Sequence, residues 1–230
     1  GILLDNAAYQ ARHKIPDYTP EQVADAIAVS LDKMLAHGIT SYKDALTTPR
    51  NLAGYHALRA RGDHRIKIKT SLAGKSAWSR NHQNEVTRIN NFAAHQRQNL
   101  DTAYAKIMLD GIPPTYTAAV LEPYLPSAEF GDNHYGKLMH QPSVLANDLT
   151  ELDKLGMTVK IHATGDRSVR VALDAIEQAR QRNGDSGLRH EISHAELIHP
   201  DDLPRFAALN VAAEMCPILW YPSPAVDAMF

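Results

Sequence analysis

Apolar positions along this chain alternate between two rhythms. Val23, Ala26, Ile27, Leu31, Met34 and Leu35 fall at helical spacing behind a Thr19-Pro20-Glu21-Gln22 start, with a capping Thr and Pro at the first helical position, and Gly38 ends the run. Ile39 to Tyr42 then predicts a short strand, Asn51 to Arg61 a helix closed by Gly62, and Arg65 to Leu72 an alternating strand. Ala105 to Leu109 is a short apolar strand that runs into Asp110-Gly111. Ser143 to Leu155 predicts a helix ending at Gly156, Met157 to His162 a strand, and Asp166 to Arg182 a helix terminated by Asn183-Gly184. Two stretches break the rhythm. Residues 74–99 are polar and predict a long loop carrying an amphipathic helix, and residues 113–142 are rich in turn formers. Strand and helix in alternation argue for βα units and a parallel sheet. Neither a repeat nor a linker interrupts them, so residues 1–230 read as a single incomplete domain, with 74–99 and 113–142 as inserts or loops.

Composition narrows the partners. The 230 residues are long enough to bury a sizeable core, and 44% hydrophobic with 22% charged residues is a globular balance. A formal net charge of −2 gives no electrostatic case for nucleic acid or an anionic membrane. No apolar run approaches a membrane span and no signal peptide is visible. Cys216 is the single cysteine, which excludes an internal disulfide framework and agrees with a cytoplasmic setting. The chain opens on Gly1 with no initiator Met and stops at Phe230 just after a Pro-rich run, so the expectation is a piece of a longer chain, whose leader could change that compartment. Gly74-Lys75-Ser76 hints at a phosphate loop, but Lys69 stands where that motif needs Gly. No G-x-G-x-x-G or G-x-S-x-G is present.

The segment His190-Glu191-Ile192-Ser193-His194 spells H-E-x-x-H. On a helix it would grip zinc through two imidazoles with Glu191 as general base of a metalloprotease, and Glu214 follows at a spacing suited to a third ligand. Local signals oppose a helix. Gly187 precedes the motif, and Ile198 to Asp202, with Pro200 near its start and two acids, opens a new helix. Glu214 lies in Asn210 to Met215, which reads as a strand. On a strand, His190, Ile192 and His194 would share the face towards the site, with Glu191 and Ser193 turned towards the surrounding helices. His194 then ends one strand, His162 ends another, and Lys106 sits in a third. Barrel enzymes gather their sites at such C-terminal strand ends.

Three segments together, Lys106-Ile107-Met108-Leu109-Asp110-Gly111, Ile161-His162-Ala163-Thr164-Gly165-Asp166-Arg167 and Arg189-His190-Glu191-Ile192-Ser193-His194-Ala195-Glu196, resemble the metal-dependent amidohydrolase superfamily. More narrowly they resemble the YtcJ-like amidohydrolase family 3, which includes N-substituted formamide deformylases. Gly38 to Ser41 and Thr117 to Tyr124 fit the same resemblance. It implies an α/β fold, a (β/α)8 TIM barrel that here would be incomplete, lacking the first and last strands. It also implies one or two divalent metals, usually zinc. Lys106 matches a lysine carboxylated to bridge two metals, and His162 and His194 match metal ligands ending the fifth and sixth strands. The family's His-x-His on the first strand and Asp on the last have no counterpart here, and Asp227 is no convincing stand-in. The expected activity is hydrolysis of a carbon–nitrogen bond of amide type other than a peptide bond, with metal-bound hydroxide attacking a carbonyl, and these residues alone are expected to be inactive or nearly so.

Other residues have competing readings. Lys160 is a rival interior lysine. Asp110 would hold the strand-end turn or touch substrate. Asp166 would cap a helix or orient His162 from behind, and Arg167 would bind a substrate carboxylate or form a salt bridge. His190 would orient a ligand or pack. Cys216 reads as a buried apolar residue, while Tyr124, Trp220 and Tyr221 would line a pocket or pack. The partner expected is a small-molecule substrate, with self-association left open. The rivals are the H-E-x-x-H protease, separated by whether residues 189–196 are helix or strand, and a non-catalytic barrel remnant, favoured if a complete folded chain holds no metal.

Overall fold

Thr19 opens the first helix with a reciprocal capping box. Its Oγ1 accepts from the Gln22 amide at 3.2 Å, and the Gln22 side chain accepts from the Thr19 amide at 2.9 Å. From there the computed structural model, which describes residues 16–73, 89–126 and 129–216, alternates helix and strand. The order is α1 (Pro20–Ala36), β1 (Ser41–Thr47), α2 (Pro49–Ala60), β2 (Lys67–Ala73), α3 (Phe92–His95), β3 (Leu100–Met108), α4 (Pro142–Lys154), β4 (Thr158–Ala163), α5 (Asp166–Asn183), β5 (Glu191–His194), α6 (Leu203–Ala208) and β6 (Ala212–Met215). All six strands pair in parallel, each with the next in sequence. Among the described residues no helix is long and apolar enough to cross a membrane.

The predicted rhythm stands, with shifted edges. β3 starts five residues before the expected strand because Leu100 and Thr102, polar neighbours notwithstanding, are buried and keep the alternation going. The helix expected from Ile198 to Asp202 begins as a 3-10 turn, Pro200–Asp202, with His199 as its cap, and becomes α-helical only at Leu203. The described residues between 113 and 141 are irregular apart from a 3-10 turn at Pro113–Thr115. Most of the stretch 74–99 lies outside the described residues. Its end carries the one-turn α3.

Side-chain alternation places the core. Ile107, Ile161 and Ile192, matched in register across β3, β4 and β5, belong to one buried cluster with Leu145 and Leu149 of α4 and Leu173 and Ile176 of α5. Each such side chain contributes roughly 1.5–3 kcal/mol by leaving water. The alternate residues, Lys106, Lys160 and Glu191 in one layer and His162, Ser193 and Glu214 in the next, occupy the other face. Ion pairs cross that face. Lys43 of β1 pairs with Glu191 of β5, and Lys160 of β4 with Glu214 of β6. The first strand can meet the fifth this way only if the sheet curls, so the six strands form an incomplete (β/α)8 barrel with Lys43, Lys160, Glu191 and Glu214 inside it.

This reverses the expected faces at residues 190–194. Glu191 and Ser193 point into the barrel, while His190 and Ile192 point to the helices. Ile192 is drawn outward by the apolar layer, and Glu191 is drawn inward by an ammonium that needs a counter-charge. His190, wholly buried, donates from Nε2 to Asp153 Oδ1 of α4 at 3.0 Å and accepts the Val159 amide on Nδ1 at 3.1 Å. Asp153 also receives Arg180 and Asn183.

Burial, and then the nearby Arg180 charge, push the His190 pKa down to about 4. The unfolded chain therefore takes up a proton near pH 6.5 that the folded chain refuses until about pH 4. The stability is complete above the unfolded value and is lost as pH falls through this window. Denaturant midpoints should show wild type losing about 2–3 kcal/mol more between pH 7.5 and 4.5 than His190→Gln does. Equal losses in the two proteins would refute this assignment.

Candidate metal centre

The C-terminal ends of β4 and β5 bring two imidazoles together. His162 projects inward from β4 by ordinary alternation. His194 reaches the same place by a different route. Its φ is 73° and that of Ala195 is 45°, left-handed values that side-chain-bearing residues rarely adopt. The turn swings His194 off the outer face, where alternation would have left it, and onto His162. The ring centroids are 4.7 Å apart at 69°. Such strain costs on the order of 1–3 kcal/mol and collects at functional sites.

Each ring is held from behind. His162 Nε2 lies 2.9 Å from the Gly111 carbonyl oxygen and donates to it, which leaves Nδ1 as the lone-pair nitrogen. His194 Nδ1 lies 3.3 Å from Cys216 Sγ, so Cys216 is half-buried beside the site and is no inert core residue. Burial, then the charges of His162, Lys106 and Lys160, push the His194 pKa down to about 4. Burial likewise lowers that of His162, with Lys106 adding to the effect. Both rings are therefore neutral at pH 7, the form that ligates a metal.

Lys106 lies in β3 beside Lys160 and is 4% exposed. Burial first, and the Lys160 charge second, push its pKa down to about 8. The structure separates the two lysines: Lys160 is paired with Glu214, and Lys106 has no hydrogen-bond or ion-pair partner among the described residues.

Asp110 is fully buried and holds the strand-end turns together. It accepts from the Ala119, Thr164 and Gly165 amides at 3.0, 3.0 and 2.9 Å, and from the Ser168 hydroxyl at 2.6 Å. Its Oδ1 is 3.6 Å from His162 Nε2. This is the turn-holding reading, and the carboxylate is closed off from solvent. Asp166 starts α5 and accepts from the Leu121 and Arg167 amides, both at 2.9 Å. It ties a loop to the helix and makes no contact with His162. Arg167 is exposed, and among the described residues it forms no salt bridge. His190, in the helix layer, packs and does not reach the site. Tyr124 packs within its own loop, donating to the Ala118 carbonyl. Trp220 and Tyr221 lie outside the described residues.

Reasoning from the letters missed Gly111, whose carbonyl orients His162, and the interior carboxylates Glu191 and Glu214. A carbonyl has no sequence signal. The carboxylates had one, since interior lysines on neighbouring strands call for counter-charges. A shallow cavity of about 470 Å³ opens among the loops that follow β3, β4 and β5, lined in part by Val120, Asp166, Glu196 and His199.

The donor chemistry fits a divalent cation: two neutral imidazoles, and a buried amine that an acidic gas could convert to an oxygen donor. Among the described residues no third His, Cys, Asp or Glu joins them. His190 immediately precedes β5, His194 ends it, and the two face opposite ways, so the H-E-x-x-H does not form a helical zinc grip.

The barrel is one found in metal-dependent hydrolases. A solved metal-dependent hydrolase from Pyrococcus furiosus matches it with a TM-score of 0.69 at 21% identity, over 90% of this chain and 41% of that one. A second from Pyrococcus horikoshii OT3 matches with a TM-score of 0.64 at 23% identity, over 84% of this chain and 36% of that one. The chain belongs to the amidohydrolase family, whose pattern it matches over residues 1–230. It is 23% identical to YtcJ of Bacillus subtilis (strain 168), which is named as an amidohydrolase, over 94% of this chain and 39% of that protein. It is 33% identical over 112 residues to LONG AFTER FAR-RED 3 of Arabidopsis thaliana, 49% of this chain and 18% of that protein. The chain thus spans well under half the length of these relatives.

Proposed function

We propose that this chain is part of a metal-dependent hydrolase that cleaves a carbon–nitrogen bond of amide type, other than a peptide bond, in a small molecule. The observation that carries the reading is the pair of neutral imidazoles, His162 and His194, turned onto each other at adjacent strand ends near Lys106, which has no hydrogen-bond or ion-pair partner among the described residues. A divalent cation, zinc for choice and one or two in number, supplies Lewis acidity towards a carbonyl and a water when bound.

The chain's own residues do the rest. His162 offers Nδ1 because Gly111 occupies Nε2. His194 is kept neutral and is aimed by its left-handed backbone. Lys106, depressed by burial, has a larger neutral fraction than an exposed lysine. Its amine can add to carbon dioxide, forming an N–C bond and releasing the amine proton to water, and the carbamate so made is an oxygen ligand. Asp110 fixes the turn of Thr164, whose hydroxyl donates to the same Gly111 carbonyl that receives His162. Among the described residues no further ligand joins these three, and on this reading the chain alone is expected to be inactive or nearly so.

The test uses the full-length gene product and a panel of N-substituted formamides and other N-acyl amines. Hydrolysis should disappear after exhaustive chelation and return on dialysis against zinc. Turnover that survives complete metal removal would sink the proposal, and a metal-free, inactive but folded chain would favour a non-catalytic remnant.

A further inference from the structure

Of the inner-face lysines Lys43, Lys69, Lys106 and Lys160, three have partners. Lys43 pairs with Glu191, Lys69 donates to the Tyr104 hydroxyl at 2.6 Å, and Lys160 pairs with Glu214. Glu214 is the carboxylate that a protease reading would have made a zinc ligand. It sits on β6 level with Ser193 and His162, one layer above Lys160. Ser193 Oγ donates to its Oε2 at 2.8 Å, the same oxygen that takes Lys160, and Lys43 Nζ lies 3.9 Å from Oε1. Lys160 reaches diagonally past β5 to meet it, away from Lys106, its neighbour in register. Released from Glu214, the Lys160 ammonium would stand next to Lys106 and below His162, with its register neighbour Glu191 already engaged by Lys43.

We propose that Glu214 is a positioning residue of the metal centre. Through Ser193 it is fixed where it holds the Lys160 ammonium, and so keeps a second uncompensated cation away from the ground shared by His162, His194 and Lys106. The inference rests on the metal-hydrolase reading. It assigns Glu214 no contact with metal or substrate. The effect is electrostatic: a dication is repelled by a freed ammonium in a half-buried site where water screens poorly.

The measurement is zinc affinity of the full-length gene product, by competition with a chromophoric chelator. Glu214→Gln should weaken zinc binding by about 10–100-fold, the range for residues that support ligands from behind. Adding Lys160→Met to that variant should restore affinity to within about threefold of wild type, since the two sites act as one coupled pair. Wild-type affinity in Glu214→Gln overturns the proposal. So does a loss that Lys160→Met fails to restore, which is what a direct ligand or a merely structural residue would give. If Glu214→Gln does not fold, Lys160→Met alone decides: affinity at or above wild type supports the proposal, and a loss overturns it. His162→Ala and His194→Ala run in parallel separate the two levels. If they bind zinc as wild type does, the metal reading itself has failed. If they lose it while the Glu214 pattern is absent, only the present inference has.

Discussion

Asp110→Ala is expected to cost about 3–5 kcal/mol of stability, the range for stripping the partner from a set of buried polar groups. Asp110 is 0% exposed and receives three backbone amides and two hydroxyls drawn from the loop after β3, the turn after β4 and the first turn of α5. Alanine leaves the Ala119, Thr164 and Gly165 amides buried without acceptors. The loops cannot easily draw apart to find water, because they touch at backbone level. A Cβ on Gly165 would come within 2.0 Å of the Ala119 carbonyl oxygen, so the approach already requires glycine. Asp110→Asn should fall between, since one oxygen remains but an amide now points donors at donors. Denaturant midpoints give the cost, and hydrogen exchange should show Ala119, Thr164 and Gly165 opening first. A loss no larger than that of Asp201→Ala, whose side chain is 82% exposed, would show that the hub does not hold the rim.

The same hub shows what could and could not be read in the letters. Strand–helix alternation, the capping Thr19 and the apolar runs ending at Asp110 and His162 marked a parallel βα sheet and two of its rim turns, and the barrel was what the family resemblance implied. The faces of residues 190–194 went the wrong way for a physical reason. A barrel strand is buried on both sides, so alternation marks two faces without saying which is inside. The deciding clue is polarity: in β4 the polar Lys160 and His162 alternate with apolar Val159 and Ile161, and in β5 Glu191 and Ser193 alternate with Ile192. The inner face is the polar one. Anchoring β5 on His194 gave the opposite answer, because His194 leaves the alternation through its left-handed backbone. Periodicity carries no information about a residue that has already left the strand. Lys160 against Lys106 could not be resolved from letters either, because the difference lies in Glu214, two strands and 54 positions away from Lys160 and reached by a side chain that crosses β5.

His162→Ala and His194→Ala are each expected to lower the metal content of the full-length gene product by more than about tenfold, from one or two ions per chain, because a catalytic metal is held by few protein ligands and each imidazole is one of them. The rings are already in the form that binds metal. Burial and neighbouring positive charge hold the His194 pKa near 4 and that of His162 below its usual value, so neither needs to lose a proton before it binds at pH 7. A pair of uncharged imidazoles 4.7 Å apart, one buried and the other half-buried in a strained backbone, is poorly explained by packing, which would favour apolar residues at such a place. Lys106→Met separates the one-metal from the two-metal case. If its carbamate bridges two ions, elemental analysis should find both affected. If a single ion rests on the imidazoles, content should fall far less than in the histidine variants. Metal retained in full by His162→Ala and His194→Ala alike would place any metal site away from these strand ends and leave the paired imidazoles without a role.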